Sequence, residues 1–310
     1  MIGERTVDGL SALTLGSRDG SIEAAFVPAA RMVGCSLRDG GEELLGQRDG
    51  LAAYAAEGGT MGIPLLHPWA NRVASIRFPA AGREVAVDPD SRQVAFDPNG
   101  LPIHGLLAAA SGWTVERHED SDSGGVLAAR FDFAAHDELM AMFPFAHELL
   151  LEAVLADSTL TITTTVSATG NAPVPISFGY HPYLQLPGVD RSEWEVEIPV
   201  RERLRLDQRM LPTGERERVE VEGGALGSRT FDDGYVAPEG SEPFVLAGGG
   251  RRIEVSFDSG YPYAQVYAPA DDDVVAYEPM TAPTNALVSG GPELPLLAPE
   301  TNIGQPSRSL

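Results

Sequence analysis

Short runs of alternating apolar and polar residues, cut at close intervals by Gly, Asp and Pro, constrain this chain more than any other feature. A period of two marks a half-buried β-strand, because successive side chains point to opposite faces. The clearest case is the pair 147–155 and 159–167, joined at Asp157-Ser158. Its second half holds the β-branched run Thr161-Ile162-Thr163-Thr164-Thr165-Val166, which suits a pleated surface. Further strands are predicted over 21–28, 34–37, 43–45, 76–78, 84–87, 113–117, 126–133, 193–200, 243–246, 253–257, 264–267 and 274–277. Asp39-Gly40-Gly41 and Ala81-Gly82 read as hairpin turns. The Gly-rich stretches 223–227 and 248–250 also read as turns, since no helix follows either to make a phosphate cradle. Helical signals are confined to 51–57 and 135–142. No repeat or composition break divides the 310 residues. The expectation is one all-β domain over 1–310, built from sandwiched antiparallel sheets with few short helices.

Composition removes several classes of function. Acidic residues number 45 against 22 basic ones, a net charge of −23. Nucleic acid and anionic membrane both need a positive surface, so neither is expected as a partner. All 22 basic residues are Arg; with no Lys there is no lysine Schiff base, no pyridoxal-phosphate lysine and no P-loop lysine. The single cysteine, Cys35, excludes an internal disulfide and any multi-cysteine metal site, and its apolar setting reads as a small buried side chain. The six histidines show no HExxH and no helical i, i+4 pair, so no metal is expected. Gly-x-Ser-x-Gly is absent, which removes the serine-hydrolase elbow. A two-carboxylate glycosidase stays open, because acids are available everywhere in the chain. The N-terminus carries no basic segment before an apolar run, and no apolar stretch approaches membrane-spanning length. A cytoplasmic protein, monomer or homodimer, is expected.

Four segments carry polar or costly residues in tight contexts. Gly62–Arg72 holds two prolines and ends in Asn71-Arg72, an amide beside a guanidinium that can grip a hydroxyl-rich ligand or simply cap a carboxylate. Pro102-Ile103-His104-Gly105 sets an imidazole beside a glycine that permits close backbone approach. Pro175–Tyr183 contains His181, held extended by Pro182 and able to move a proton near neutrality. Ala276–Asn285 contains Glu278, which ends an apolar run; it reads as a partly desolvated base or a solvated strand-end acid.

Taken in order, Pro68-Trp69-Ala70-Asn71-Arg72, Ile103-His104-Gly105, Phe178-Gly179-Tyr180-His181-Pro182-Tyr183 and Tyr277-Glu278-Pro279 resemble the aldose 1-epimerases, or galactose mutarotases, from about Gly62 to Asn285. The resemblance implies a β-supersandwich of large twisted antiparallel sheets. It also implies an isomerase of hexose metabolism that interconverts the α and β anomers of a free monosaccharide without metal or cofactor. By the same resemblance His181 is the general acid and Glu278 the general base, while Asn71, Arg72 and His104 bind the sugar. The family's sugar-binding aspartate falls on Asp232, by its spacing to Tyr235, with Asp233 the competitor. Trp69 or Tyr183 would offer a flat face to the ring. Departures are the Glu278-Pro279-Met280 sequence, where better-known members have Glu-Thr-Gln, and Leu297-Ala298-Pro299-Glu300, which lacks the family's Pro-Gly-Glu glycine and predicts a last strand that is short or absent. Rival readings are a hexose-6-phosphate 1-epimerase of the same fold, with Arg77 and Arg83 in an anion-binding cluster, a sugar-binding protein without catalysis, and a glycoside hydrolase or lyase of this architecture.

Overall fold

The computed structural model describes residues 1–238, 242–299 and 302–306. Antiparallel sheets dominate it, with only short helices at Gly50–Glu57, Asp137–Met142 and Ala286–Ser289 among the described residues. The predicted hairpin forms as His147–Ala156 paired with Thr159–Ala168, and its burial alternates residue by residue as the sequence alternates. It lies inside a five-stranded sheet with Thr114–Asp120, Gly124–Asp132 and Asn302–Pro306. A second five-stranded sheet holds the N-terminal 43 residues, in sequence order from Ile2–Val7 to Glu42–Glu43.

The sheet that matters for function has eight strands. Its order is Pro212–Arg218, Glu202–Leu206, Phe231–Val236, Tyr263–Ala268, Val275–Met280, Gly179–Tyr180 and Leu65–Leu66, with Tyr183–Leu184 also paired to Val275–Met280. Alternation gives this sheet two characters. Tyr235, Val266 and Tyr277 join the main apolar core. Residues of the opposite parity, Asp232, Gln265 and Glu278, share the other face, because Gln265 sits directly across from both Gly234 and Glu278.

Several strands depart from expectation. Only Glu195–Glu197 of 193–200 is strand, since Asp190 caps a 3₁₀ turn at Arg191–Glu193 through the Ser192 amide. The stretch 223–227 is not merely a turn, because Gly224–Ala225 pairs with Glu195–Glu197. Strands at Ile2–Val7, Leu10–Gly16, Glu202–Leu206, Pro212–Arg218 and Phe231–Val236 went unpredicted. Pro212–Arg218 is mostly exposed on both faces, so it carries no alternation to read. The C-terminal strand is short and present: Asn302–Pro306 pairs with Thr163–Ser167. Glu300 lies outside the described residues.

Candidate active site

The four singled-out segments meet at the polar face of the eight-stranded sheet. Backbone bonds lace the first to the third: Tyr183 N donates to Gly62 O (2.8 Å), His181 N to Pro64 O (3.3 Å) and Ala70 N to Ser177 O (2.7 Å). The second is bound to the first, with His104 N on Asn71 O (2.9 Å) and Leu106 N on His67 O (2.8 Å). Gly105 makes this crossing possible. Its φ is +82°, and a Cβ there would stand 2.1 Å from His67 O. The fourth segment closes the ring: Asn285 N donates to Arg72 O (3.0 Å), and its side-chain Oδ1 accepts from Ala74 N (2.7 Å).

At the centre, His181 Nε2 lies 3.2 Å from Glu278 Oε1 and 3.2 Å from the Tyr183 hydroxyl. His181 is 5 % exposed and Glu278 2 %. Tyr183 stacks on the His181 ring at 4.1 Å, and its hydroxyl continues to Thr60 Oγ1 at 2.5 Å. His104 stands edge-on to His181 at 5.6 Å. Asp232 Oδ1 accepts from Gln265 Nε2 at 2.6 Å, next to Glu278 on the same sheet face. Arg72 is fixed by Asp97 (Nε to Oδ2, 2.7 Å) and by Asn71 Oδ1 (3.0 Å).

Burial controls the protons. It drives the Glu278 carboxyl well above the usual carboxylate range, an effect increased by nearby Asp232 and opposed by Arg72. Burial likewise drives His181 well below the usual imidazole value, aided by His104 and Arg48. His104 falls to about 3 through burial and the charges of Arg72 and Arg48. Three buried polar atoms at this one place, His181 Nδ1, His104 Nδ1 and Glu278 Oε2, have no hydrogen-bond partner among the described residues. Orphaned buried polar atoms cost about 1–3 kcal/mol each, so a cluster of them marks a surface shaped for a polar ligand.

A family model described as aldose 1-epimerase matches residues 30–301. The chain belongs to the aldose 1-epimerase family. No curated protein sequence matches it. Solved structures agree on the fold. A galactose mutarotase-like protein from Clostridium acetobutylicum superimposes with a TM-score of 0.87 at 20 % identity, covering 100 % of this chain and 98 % of that one. Galactose 1-epimerase from Lactobacillus acidophilus gives 0.75 at 14 %, covering 100 % and 96 %. An aldose epimerase homologue from C. elegans gives 0.72 at 16 %, covering 100 % and 98 %.

Within this aldose 1-epimerase fold, five of the six residues singled out at the sequence level lie on the four converging segments, and the sixth, Asp232, reaches the same sheet face from strand Phe231–Val236. Glu278 sits inside strand Val275–Met280 and is fully enclosed, which overturns its reading as a solvated strand-end acid. Asp232 faces Gln265, whereas Asp233 has the opposite parity and reaches Arg203 at 3.5 Å. Trp69 offers no flat face, because it is 0 % exposed; one ring face of Tyr183 is taken by His181. Arg77 pairs with Glu84 across its own hairpin, and Arg83 donates to Pro144 O. These two arginines therefore do not form an anion cluster at the site. The Gly62–Arg72 segment is less extended than its prolines suggest: the His67-Pro68 bond is cis, and Asn71 has φ +55°. Sequence reading missed Arg48, Thr60 and Gln265. Arg48 lies 4.9 Å over the Tyr183 ring and 3.8 Å from Asp272. Gln265 had a usable signal, being an amide within the apolar run Tyr263–Ala268.

Proposed function

We propose that this protein interconverts the α and β anomers of an aldose by general acid–base opening and reclosure of the pyranose. The observation that carries the reading is the enclosed His181–Glu278 pair, whose His181 Nδ1 and Glu278 Oε2, with His104 Nδ1 beside them, have no hydrogen-bond partner among the described residues. Ring opening moves one proton from the anomeric hydroxyl and another onto the ring oxygen. Both oxygens are bonded to the same carbon, so the acid and the base must stand close together, as these side chains do at 3.2 Å.

Burial leaves the pair with one proton to share, since it opposes both the carboxylate and the imidazolium. In the reacting form the proton is on His181. Glu278 takes the anomeric proton while His181 protonates the ring oxygen, and the pair becomes neutral, the state that a dry site favours. Rotation about C1–C2 presents the other carbonyl face. Glu278 then returns its proton to the carbonyl oxygen as His181 recovers one from the attacking hydroxyl. No net proton is consumed. Tyr183 holds the imidazole by stacking and through its hydroxyl. Arg72, Asn71, His104, Asp232 and Gln265 supply donors and acceptors for sugar hydroxyls. The test is polarimetry on freshly dissolved α-D-glucose and α-D-galactose. The reading requires relaxation faster than the buffer rate, in proportion to enzyme; failure with every aldose tried would refute it.

A further inference from the structure

A cavity of about 280 Å³ borders the candidate site through Thr60, Arg72 and His104, without His181 or Glu278 in its lining. Arg31, Tyr54 and Phe96 also line it. Thr60 ties it to the chemistry through the chain Thr60 Oγ1, Tyr183 hydroxyl, His181 Nε2. The volume lies just below the range of small-molecule sites, roughly 300–1,000 Å³, which suits one added group on a sugar better than a further chain of sugars.

Arg31 is the unusual member. It is only 8 % exposed. Its guanidinium carbon lies over the Tyr54 ring, 3.4 Å from the centroid, and the group donates to the Tyr54 carbonyl oxygen. No carboxylate among the described residues pairs with it, and burial works against its charge. The other guanidinium on the cavity, Arg72, is already matched by Asp97 at 2.7 Å. The cavity therefore holds one uncompensated positive charge. A buried cation is stable only when paired. A guanidinium stacked on an aromatic face keeps its edge free for the planar fork of a carboxylate. A dianion is a poor match to a single free cation in a chain of net charge −23. At the mouth, Phe96 is 37 % exposed and gives an apolar rim.

We infer that this cavity is a subsite for a carboxylate carried by the sugar, and that the preferred substrates are uronic acids whose carboxylate meets Arg31. The inference rests on the anomer-interconverting reading of His181 and Glu278. Its test compares D-glucuronate and D-galacturonate with D-glucose and D-galactose by polarimetry at fixed ionic strength, with glucose 6-phosphate as the dianionic arm. Each uronate is expected to show a KM at least about tenfold below that of its neutral hexose, and Arg31→Met to abolish that preference. A merely structural Arg31 would shift both classes together and leave the ratio intact. Because Arg31→Met can fail to fold, the wild-type protein is also titrated by calorimetry with methyl α-D-glucopyranosiduronate and methyl α-D-glucopyranoside, which cannot change anomer. The acid should bind at least about tenfold more tightly, about 1.4 kcal/mol. Equal binding of the two glycosides, equal KM values for uronate and hexose, or a preference for glucose 6-phosphate over glucuronate would each overturn the subsite. Absence of turnover with every sugar refutes the catalytic reading instead, and the calorimetry still judges the cavity.

Discussion

Glu278→Gln separates the proposed catalytic role of this side chain from its structural one. The substitution keeps the shape and replaces an oxygen 3.2 Å from His181 Nε2 by an amide that cannot accept the anomeric proton. A positioned base is worth about 10²–10⁴-fold, so kcat/KM should fall by that factor, about 2.7–5.4 kcal/mol of barrier. Stability should behave differently. The residue is 2 % exposed, its Oε2 has no partner among the described residues, and burial favours its protonated form. A neutral amide closely copies a protonated acid, so unfolding free energy should change by less than about 1 kcal/mol. Had the resting pair been a buried ion pair, the same change would strand an imidazolium and cost about 3–5 kcal/mol. Polarimetry on α-D-glucose and α-D-galactose supplies the first number and urea denaturation the second. A variant that keeps more than about one tenth of wild-type kcat/KM would show that the base is elsewhere. A folded variant weakened by about 3 kcal/mol or more would show that the resting proton sits on His181.

Further outcomes follow from the same geometry. Asp232→Asn should raise KM by about 10–100-fold, the worth of a charge-assisted hydrogen bond, whereas Asp233→Asn, whose carboxylate faces Arg203, should stay within about twofold; steady-state polarimetry on both variants decides, and the reverse order would reassign the aspartate. The pH–rate profile should be bell-shaped. Two protons on the His181–Glu278 pair remove the base and none removes the acid, so with His181 lowered and Glu278 raised the acid limb must fall below the ordinary imidazole value of about 6.5. Stability should decline on acidification through His147, which falls to about 4 by burial. Its Nδ1 donates to Phe145 O, so its Nε2 must accept from His67 Nε2 at 2.7 Å, and an added proton would set N–H against N–H. The unfolded chain binds that proton near pH 6.5, so stability is full above about 6.5 and lost toward pH 4, by about 3 kcal/mol; urea midpoints at pH 7 and 4.5 measure it, and a flat profile would refute the burial argument.

How much of this was legible in the sequence depends on what each residue's signal consists of. Strands that bury one face announce themselves by alternation, as His147–Ala156 and Thr159–Ala168 do. Strands exposed on both faces do not, and Pro212–Arg218 was missed for that reason. The site residues were visible because each is chemically out of place in its segment: Glu278 closing an apolar run, His181 before a proline, Asn71-Arg72 after Pro68. Their convergence was not visible, because it is a property of strand order. Leu65–Leu66, Gly179–Tyr180 and Val275–Met280 are neighbours in one sheet although some two hundred residues separate the first from the last.

Register explains the rest. Asp232 and Asp233 are equivalent to a reader of sequence, yet a period of two sends them to opposite faces. Only the pairing of Asp232 with Tyr267, and of Gln265 with Glu278, fixes which one shares a face with Glu278. Arg48 and Arg31 were invisible for a different reason. Each is an ordinary arginine in a loop or turn, and nothing near it in sequence says what it will face. Arg48 acquires meaning when Tyr183 arrives beneath it from a strand 135 residues later. Arg31 acquires it from its surroundings: among the described residues its neighbours bring an aromatic ring and a carbonyl but no carboxylate. Arg191 and Arg229, also without a carboxylate partner among the described residues, each reach three backbone carbonyl oxygens; Arg31, more deeply buried, reaches one, and a carboxylate on the ligand is the proposed partner for the rest of its fork.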